Sequence, residues 1–300
     1  MGDLYMINFN QYVNEHLLRQ ITIGKSGALV YELDNSRIAK CIRLSELASD
    51  ALRNSYEREY LFYTHFSSSA YPFLPKIYHC CQSDDEIQII MEKYLPLDRS
   101  RLDTALLEKI MSILAQIHSL PIPDFLPNVD TKPVVLDPSD ITQYLLGWKE
   151  VINEHGDAFS EHDLYRIAEN INTINQKVHS TRKSVCHGDF HFENLLADAH
   201  DNIIVCDWQN INLGHVSGDI SFLLSRLSAD GCDIKKETAI QIYCNLPNTD
   251  ITPNEIATQM SLANLNTSFM FWHNYLHGAP EDRVHDILGK MIEDLDCLLI

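Results

Sequence analysis

The sequence is poor in positive charge: 23 Lys and Arg stand against 42 Asp and Glu, a formal net charge of −19 over 300 residues. Such a chain repels a nucleic-acid backbone and an anionic membrane surface, so neither is expected as a partner. The same excess attracts cations, although an acidic surface also serves solubility alone. No apolar run approaches the roughly 20 residues that span a bilayer. Met1–Asn10, with an early Asp3 and no apolar core, is not organised as a secretion signal, and a cytoplasmic location is expected. The eight cysteines lack any C-x-x-C pair or repeated spacing and read as thiols in a reducing compartment. Cys297-Leu-Leu-Ile300 superficially fits a prenylation signal, but an amphipathic closing helix accounts for it as well. Internal repeats and low-complexity tracts are absent.

What is present is two textures. In the first third, Ile21–Ile23, Ala28–Leu33 and Arg37–Arg43 are short β-type runs. The turn formers Gly24-Lys-Ser-Gly27 and Asp34-Asn-Ser36 separate them, which predicts an antiparallel meander. A helix is expected over about Asp50–Phe66, then strands at Ile77–Cys81 and Glu86–Met91. Beyond Tyr94 the pattern becomes helical: Asp103 is a good N-cap, and Leu107, Ile110, Leu114 and Ile117 recur at helical spacing. One island, Ser184–Asp207, returns to short strands. The chain thus reads as α+β, with an antiparallel β-rich N-terminal lobe over residues 1–94 and a mainly helical C-terminal lobe over 95–300.

The island carries the chemistry. It reads His187-Gly188-Asp189-Phe190-His191-Phe192-Glu193-Asn194, then strand, turn and strand, then Asp207-Trp208. Asp189, Asn194 and Asp207 each sit at a strand end or in a tight loop. A hard cation such as Mg²⁺ takes few protein oxygens and completes its shell with phosphate and water, a task that suits Asn194 and Asp207. Asp189 suits another: a carboxylate beside an incoming hydroxyl can orient it and accept its proton during phosphoryl transfer.

The combination His187-Gly188-Asp189-x-His191-x-x-Asn194, with Asp207-Trp208 after the hairpin, resembles the signature of aminoglycoside phosphotransferases and choline-kinase-like small-molecule kinases. That resemblance implies a two-lobe protein-kinase-like fold and transfer of the γ-phosphate of ATP or GTP, with Mg²⁺, to a small hydroxyl acceptor. It further implies Asp189 as catalytic base, Asn194 and Asp207 as metal ligands, His187 as loop support and Asp219, in Gly218-Asp219-Ile220, as a structural brace. Trp208-Gln209 departs from the Phe-Gly of protein kinases, and the short interval to Asp219 leaves little room for an activation segment, so a protein substrate is disfavoured. Choline-kinase-like enzymes more typically carry Asn before the catalytic Asp, and fructosamine-kinase-like ones Trp at the place of His191; neither is present. With the acidic composition this favours an aminoglycoside or another cationic amino alcohol, an antibiotic-resistance role being one reading and metabolism the other.

The N-terminal third supplies matching parts. Gly24, Ser26 and Gly27 lie between two strands, where backbone N–H groups can approach phosphate. Gly-Lys-Ser mimics the end of a Walker A loop, but Arg19 stands where Gly is required and a strand follows. Lys40 shares a strand face with Ile38 and Ile42. On the next helix Leu52, Tyr56, Glu59, Tyr63 and Phe66 form one stripe with Glu59 at its centre, while Glu57 falls off it. A carboxylate in an apolar stripe needs a partner, so Lys40–Glu59 is expected as an ion pair that leaves Lys40 able to reach the phosphates. By resemblance, Met91, Glu92 and Tyr94 belong to the hinge whose backbone reads the adenine.

Other sites carry less. His187 and His191 have helix-like zinc spacing, but no Glu follows His187 and the segment is a loop. In Gly214-His-Val-Ser-Gly218 the serine is one place late for a nucleophile elbow. Trp272, His273, Tyr275, Glu281 and Asp282 are candidate acceptor-pocket residues, with helical core and a solvated helix start as the competing reading. A partner-binding pseudokinase is disfavoured because Lys40, Asp189, Asn194 and Asp207 are all intact.

Overall fold

The computed structural model describes residues 9–21, 27–34, 36–126, 135–155, 161–179, 183–232, 234–247 and 249–299. An unforeseen helix, α1 (Phe9–His16), precedes β1 (Leu17–Ile21), so the first strand starts earlier than the expected Ile21–Ile23. Of that expected run only Ile21 is among the described residues. β2 (Leu29–Leu33), β3 (Arg37–Arg43), β4 (Ile77–Gln82) and β5 (Glu86–Glu92) complete an antiparallel sheet of order β1-β2-β3-β5-β4. β3 is therefore interior, paired through Val30↔Lys40 on one side and Lys40↔Ile89 on the other. One face buries Leu33, Ala39, Cys41 and Ile90 against Phe9 and Val13, which is why α1 forms there.

Helix α2 (Asp50–His65) starts at Ser49, whose side chain accepts from the Leu52 N–H. It buries Tyr56, Glu59 and Tyr63 of the expected stripe together with Phe62, which lay outside it; Phe66, the C-cap, is also buried, while Leu52 is only partly so. α3 (Thr104–His118) is capped by Asp103, which accepts from Leu106 N. Between them β6 (Leu95–Pro96) pairs with β8 (Leu195–Ala197), which pairs in turn with β9 (Ile203–Val205). β7 (Ser184–Cys186) pairs with β10 (Asn212–Gly214), a strand too short to announce itself in sequence.

The chain divides into two compact units: Met1–Pro127 with Ser184–Gly214 and Phe222–Thr249, and Asn128–Lys183 with His215–Ser221 and Asp250–Ile300. The boundary expected after residue 94 falls inside the first unit, where β6 is hydrogen-bonded to β8. The second unit is helical. α4 (Pro138–His155), α5 (Glu161–His179), α8 (Pro253–Phe271) and α9 (Glu281–Leu299) bury Trp148, Val151, Ile167, Ile171, Leu265, Phe269 and Met291 among themselves. α6 (Val216–Ala229) and α7 (Lys236–Cys244) precede α8, which opens on a capping box between Thr252 and Glu255. α9 is amphipathic and contains Cys297. No described helix is long and apolar enough to cross a membrane, and none of the cysteines is in a disulfide.

Aromatic contacts tie the segment after β9 to α2 and to the segment after β7. Trp208, fully buried, stacks on Phe62 of α2 at 4.0 Å and lies 4.7 Å from the His187 ring, while its Nε1–H donates to Val205 O at 2.8 Å. Trp208→Ala is expected to cost about 3–5 kcal/mol from the lost packing and the cavity left behind. Denaturant melts of the two proteins check this, and a loss below about 1 kcal/mol contradicts it.

Candidate active site

Lys40 is the centre of the site. Its Nζ lies 2.8 Å from Glu59 Oε2 and 3.0 Å from Asp207 Oδ1, with the Tyr56 ring 5.1 Å away. The expected Lys40–Glu59 pair is present, and the off-stripe Glu57 instead meets Arg53 at 3.6 Å nearer the surface. Burial opposes the charge on Lys40, but the Glu59 and Asp207 carboxylates outweigh it and hold the ammonium above the ordinary lysine range. Glu59, 1% exposed, is pushed upward by burial, and the adjacent Lys40 cation opposes that shift.

The loop after β7 builds the second half. His187 is fully buried; its Nε2 donates to Cys206 O at 3.0 Å and its Nδ1 accepts from Asp189 N at 3.3 Å. The ring therefore fixes the Asp189 backbone to the residue before Asp207. Gly188 adopts φ +78, and a Cβ there would sit 2.2 Å from Asn210 O, so no other residue fits. A short 3-10 turn, Phe192–Asn194, ends the loop. Asn194 Nδ2 donates to the Asp189 carbonyl at 2.9 Å, and Cys206 N donates to Asn194 O at 3.0 Å. Asn194 and Asp207 thus leave neighbouring ends of the β8–β9 pair. Asp207 occupies the left-handed region, φ 65 and ψ 61, a conformation that a non-glycine residue adopts only at a cost.

Asp189 is partly exposed, and His191 Nε2 approaches its Oδ2 at 3.6 Å. The His191 ring lowers the Asp189 pKa, burial opposes this, and His187 and Asn194 add to the lowering. Asp189, Asn194, Asp207, Lys40, Glu59 and His187 all belong to the first compact unit.

The remaining expected residues are placed as follows. Gly24 and Ser26 lie outside the described residues; Gly27 is described, with φ +81. Met91 and Glu92 are still in β5, opposite Ile38 and Arg37, and Glu92 Oε2 accepts from Tyr78 Oη at 3.0 Å. The Tyr94 hydroxyl accepts from Lys76 N at 3.0 Å. Asp219 is buried in the first turn of α6 (Val216–Ala229). Trp272, His273 and Tyr275 form a 3-10 turn after α8: His273 packs against Gly147, where a Cβ would be 2.2 Å from its ring, and Arg283 lies over Trp272. Tyr275 is exposed, as are Glu281 and Asp282 in the first turn of α9. Two neighbours of the site were not foreseen: Glu193, inside the motif, and Arg99, far from it in sequence but paired with Glu193 at 2.7 Å. No local pattern announces that pairing.

An antiparallel sheet whose interior lysine meets a helical glutamate, joined to strands presenting Asp, Asn and Asp, defines a kinase-like phosphotransferase. A family model described as the phosphotransferase enzyme family matches residues 19–250, and the chain belongs to that family. Among curated proteins none matches the sequence. Solved structures share the fold. The streptomycin–ATP–APH(2")-IIa ternary complex is 17% identical, with TM-score 0.57 over 96% of this chain and 99% of that one. ADP-bound aminoglycoside phosphotransferase APH(2'')-Ib is 14% identical, with TM-score 0.55 over 97% and 98%. Choline kinase LicA from Streptococcus pneumoniae is 13% identical, with TM-score 0.53 over 97% and 96%. The fold is therefore the protein-kinase-like α+β fold of these enzymes.

Glu59→Ala leaves a buried ammonium with one partner fewer and is expected to cost about 3 kcal/mol. Glu57→Ala, at a more exposed helical pair, is expected to cost under about 0.5 kcal/mol. Thermal or urea melts compare the two, and equal losses contradict the assignment of the buried partner.

Proposed function

We propose that the chain transfers the γ-phosphoryl group of ATP or GTP to a hydroxyl of a small acceptor, with Asp189 as catalytic base. The supporting observation is Lys40 held between Glu59 and Asp207, in the same compact unit as Asp189 and Asn194. Asn194 and Asp207 fit Mg²⁺: they are few, they are oxygen donors, and the Asp207 side chain is 36% exposed. Bound there, the ion would supply charge neutralisation on the phosphates. Lys40 contributes the same from the sheet side, and Glu59 keeps its ammonium in place. Gly24, Ser26 and Gly27 contribute backbone N–H groups to the phosphates, and the Met91–Tyr94 segment the backbone edge for the base.

The chemical step balances simply. The acceptor oxygen bonds to the γ-phosphorus, the bond from that phosphorus to the bridging oxygen breaks, and the nucleoside diphosphate leaves. The acceptor proton passes to Asp189. A carboxylate kept ionised by its neighbours is a weak base but a good orienting group, which suits a loose transition state in which the proton moves late.

A cationic acceptor is favoured by the net charge of −19, and an aminoglycoside within that class by the His-Gly-Asp loop. Trp272, His273, Tyr275, Glu281 and Asp282 are assigned to its recognition. Relatives include a choline kinase and a Plasmodium vivax ethanolamine kinase, so amino alcohols form the second arm of the screen. Asp189→Asn is expected to lower kcat by about 10²–10⁴-fold while Mg·ATP still raises the melting temperature. Asp207→Ala is expected to lose that stabilisation. Unchanged turnover in Asp189→Asn removes the assigned role, and a parent enzyme that consumes ATP with a metabolite and ignores aminoglycosides removes the antibiotic substrate.

A further inference from the structure

Beyond the residues so far assigned, a charged chain runs from the surface into the catalytic loop. Arg99, in a 3-10 turn (Arg99–Arg101), pairs with Asp230 at 2.8 Å through one guanidinium nitrogen and with Glu193 Oε1 at 2.7 Å through the other. Arg226 approaches the same Glu193 oxygen at 3.7 Å, and the Arg99 guanidinium lies over the Phe192 ring at 5.3 Å. The second Glu193 oxygen meets His191 Nδ1 in a short contact. The other ring nitrogen, Nε2, lies 3.2 Å from Asn194 Nδ2 and 3.6 Å from Asp189 Oδ2.

Donor and acceptor chemistry fixes the direction of this chain. An ionised carboxylate only accepts, so Nδ1 of His191 carries a hydrogen toward Glu193. With that hydrogen on Nδ1, the neutral ring leaves Nε2 as an acceptor. A rigid ring so held presents Nε2 to Asn194. The Asp189 main-chain carbonyl, also only an acceptor, takes the amide nitrogen of Asn194 at 2.9 Å. The Asn194 amide nitrogen therefore faces the loop, and its Oδ1 faces away from those partners.

We infer that Arg99 and Glu193 are positioning residues that hold His191 and, through it, keep the Asn194 oxygen turned outward as a cation ligand. The inference rests on the phosphotransfer reading, which makes Asn194 such a ligand. It adds two residues, neither touching substrate, whose loss loosens the metal site as the loss of outer partners of a ligand generally does. Edge contact from Phe222 to the His191 ring, at 5.8 Å, closes the remaining side.

Mn²⁺ serves as the probe, its affinity in the presence of ATP being read by electron paramagnetic resonance on the parent, Glu193→Ala, Arg99→Met and the double variant. Glu193 is 44% exposed and Met keeps much of the apolar stem of Arg99, so all are expected to fold, which circular dichroism checks. Glu193→Ala is expected to weaken Mn²⁺ binding by about 10-fold or more. Arg99→Met is expected to weaken it less, and to have no further effect once Glu193 is gone, because it acts through that carboxylate. Unchanged Mn²⁺ affinity in folded Glu193→Ala, or independent additive losses, overturns this inference alone. A parent protein that binds no Mn²⁺ with ATP overturns the phosphotransfer reading, and this inference with it.

Discussion

The structure of the site depends on one ammonium shared by two carboxylates. Lys40 sits on an interior strand, Glu59 on the helix that covers the sheet, and Asp207 beyond the β8–β9 pair, so a single cation joins three separately formed pieces. Burial disfavours the charges of Lys40 and Glu59, and their pairing makes them tolerable. Because removing either partner leaves charge uncompensated, the geometry is held more tightly than its modest net energy implies. On the proposed function, a phosphate entering beside Lys40 would meet a cation already fixed in place, which is the condition for electrostatic help without reorganisation.

A second, apolar constraint sets where Asp189 and Asp207 stand. Phe62 of α2 stacks on Trp208, whose ring meets His187 at a tilt, so the helix that carries Glu59 also carries the Asp189 loop. His187 then spends both ring nitrogens on backbone, one at Cys206 and one at Asp189. Gly188 makes the turn between them because Asn210 O stands where a side chain would go. The left-handed Asp207 is the strain left over, borne by a residue whose neighbours hold it on both sides.

Much of this was legible in sequence where one element supplied the signal. The helical stripe on Asp50–His65 singled out Glu59 over Glu57, alternation in Arg37–Arg43 placed Lys40, and Asp103 capped the helix it was expected to cap. The motif around Asp189 gave the order of the loop. What escaped lacked a period: α1 owes its helix to the sheet face it covers, β10 has only Asn212–Gly214, and β6 joins β8 across a long interval of chain. That last pairing places the 94/95 boundary inside one compact unit. Trp208 stood out in sequence as a departure from a kinase pattern, whereas its place in the stack is a property of three elements at once.

By itself the sequence determined the α+β texture, the acidic net charge, and which lysine, glutamate, aspartates and asparagine are the candidates for the site. These follow from composition, local periodicity and short motifs, each contained in a few consecutive residues. Only tertiary structure decided that Lys40 reaches Asp207 as well as Glu59, that Trp208 joins α2 to the loop, and that Arg99 and Asp230 stand behind Glu193. Such contacts link residues far apart in the chain, and no local preference encodes them, because their partners are chosen by the packing of whole elements.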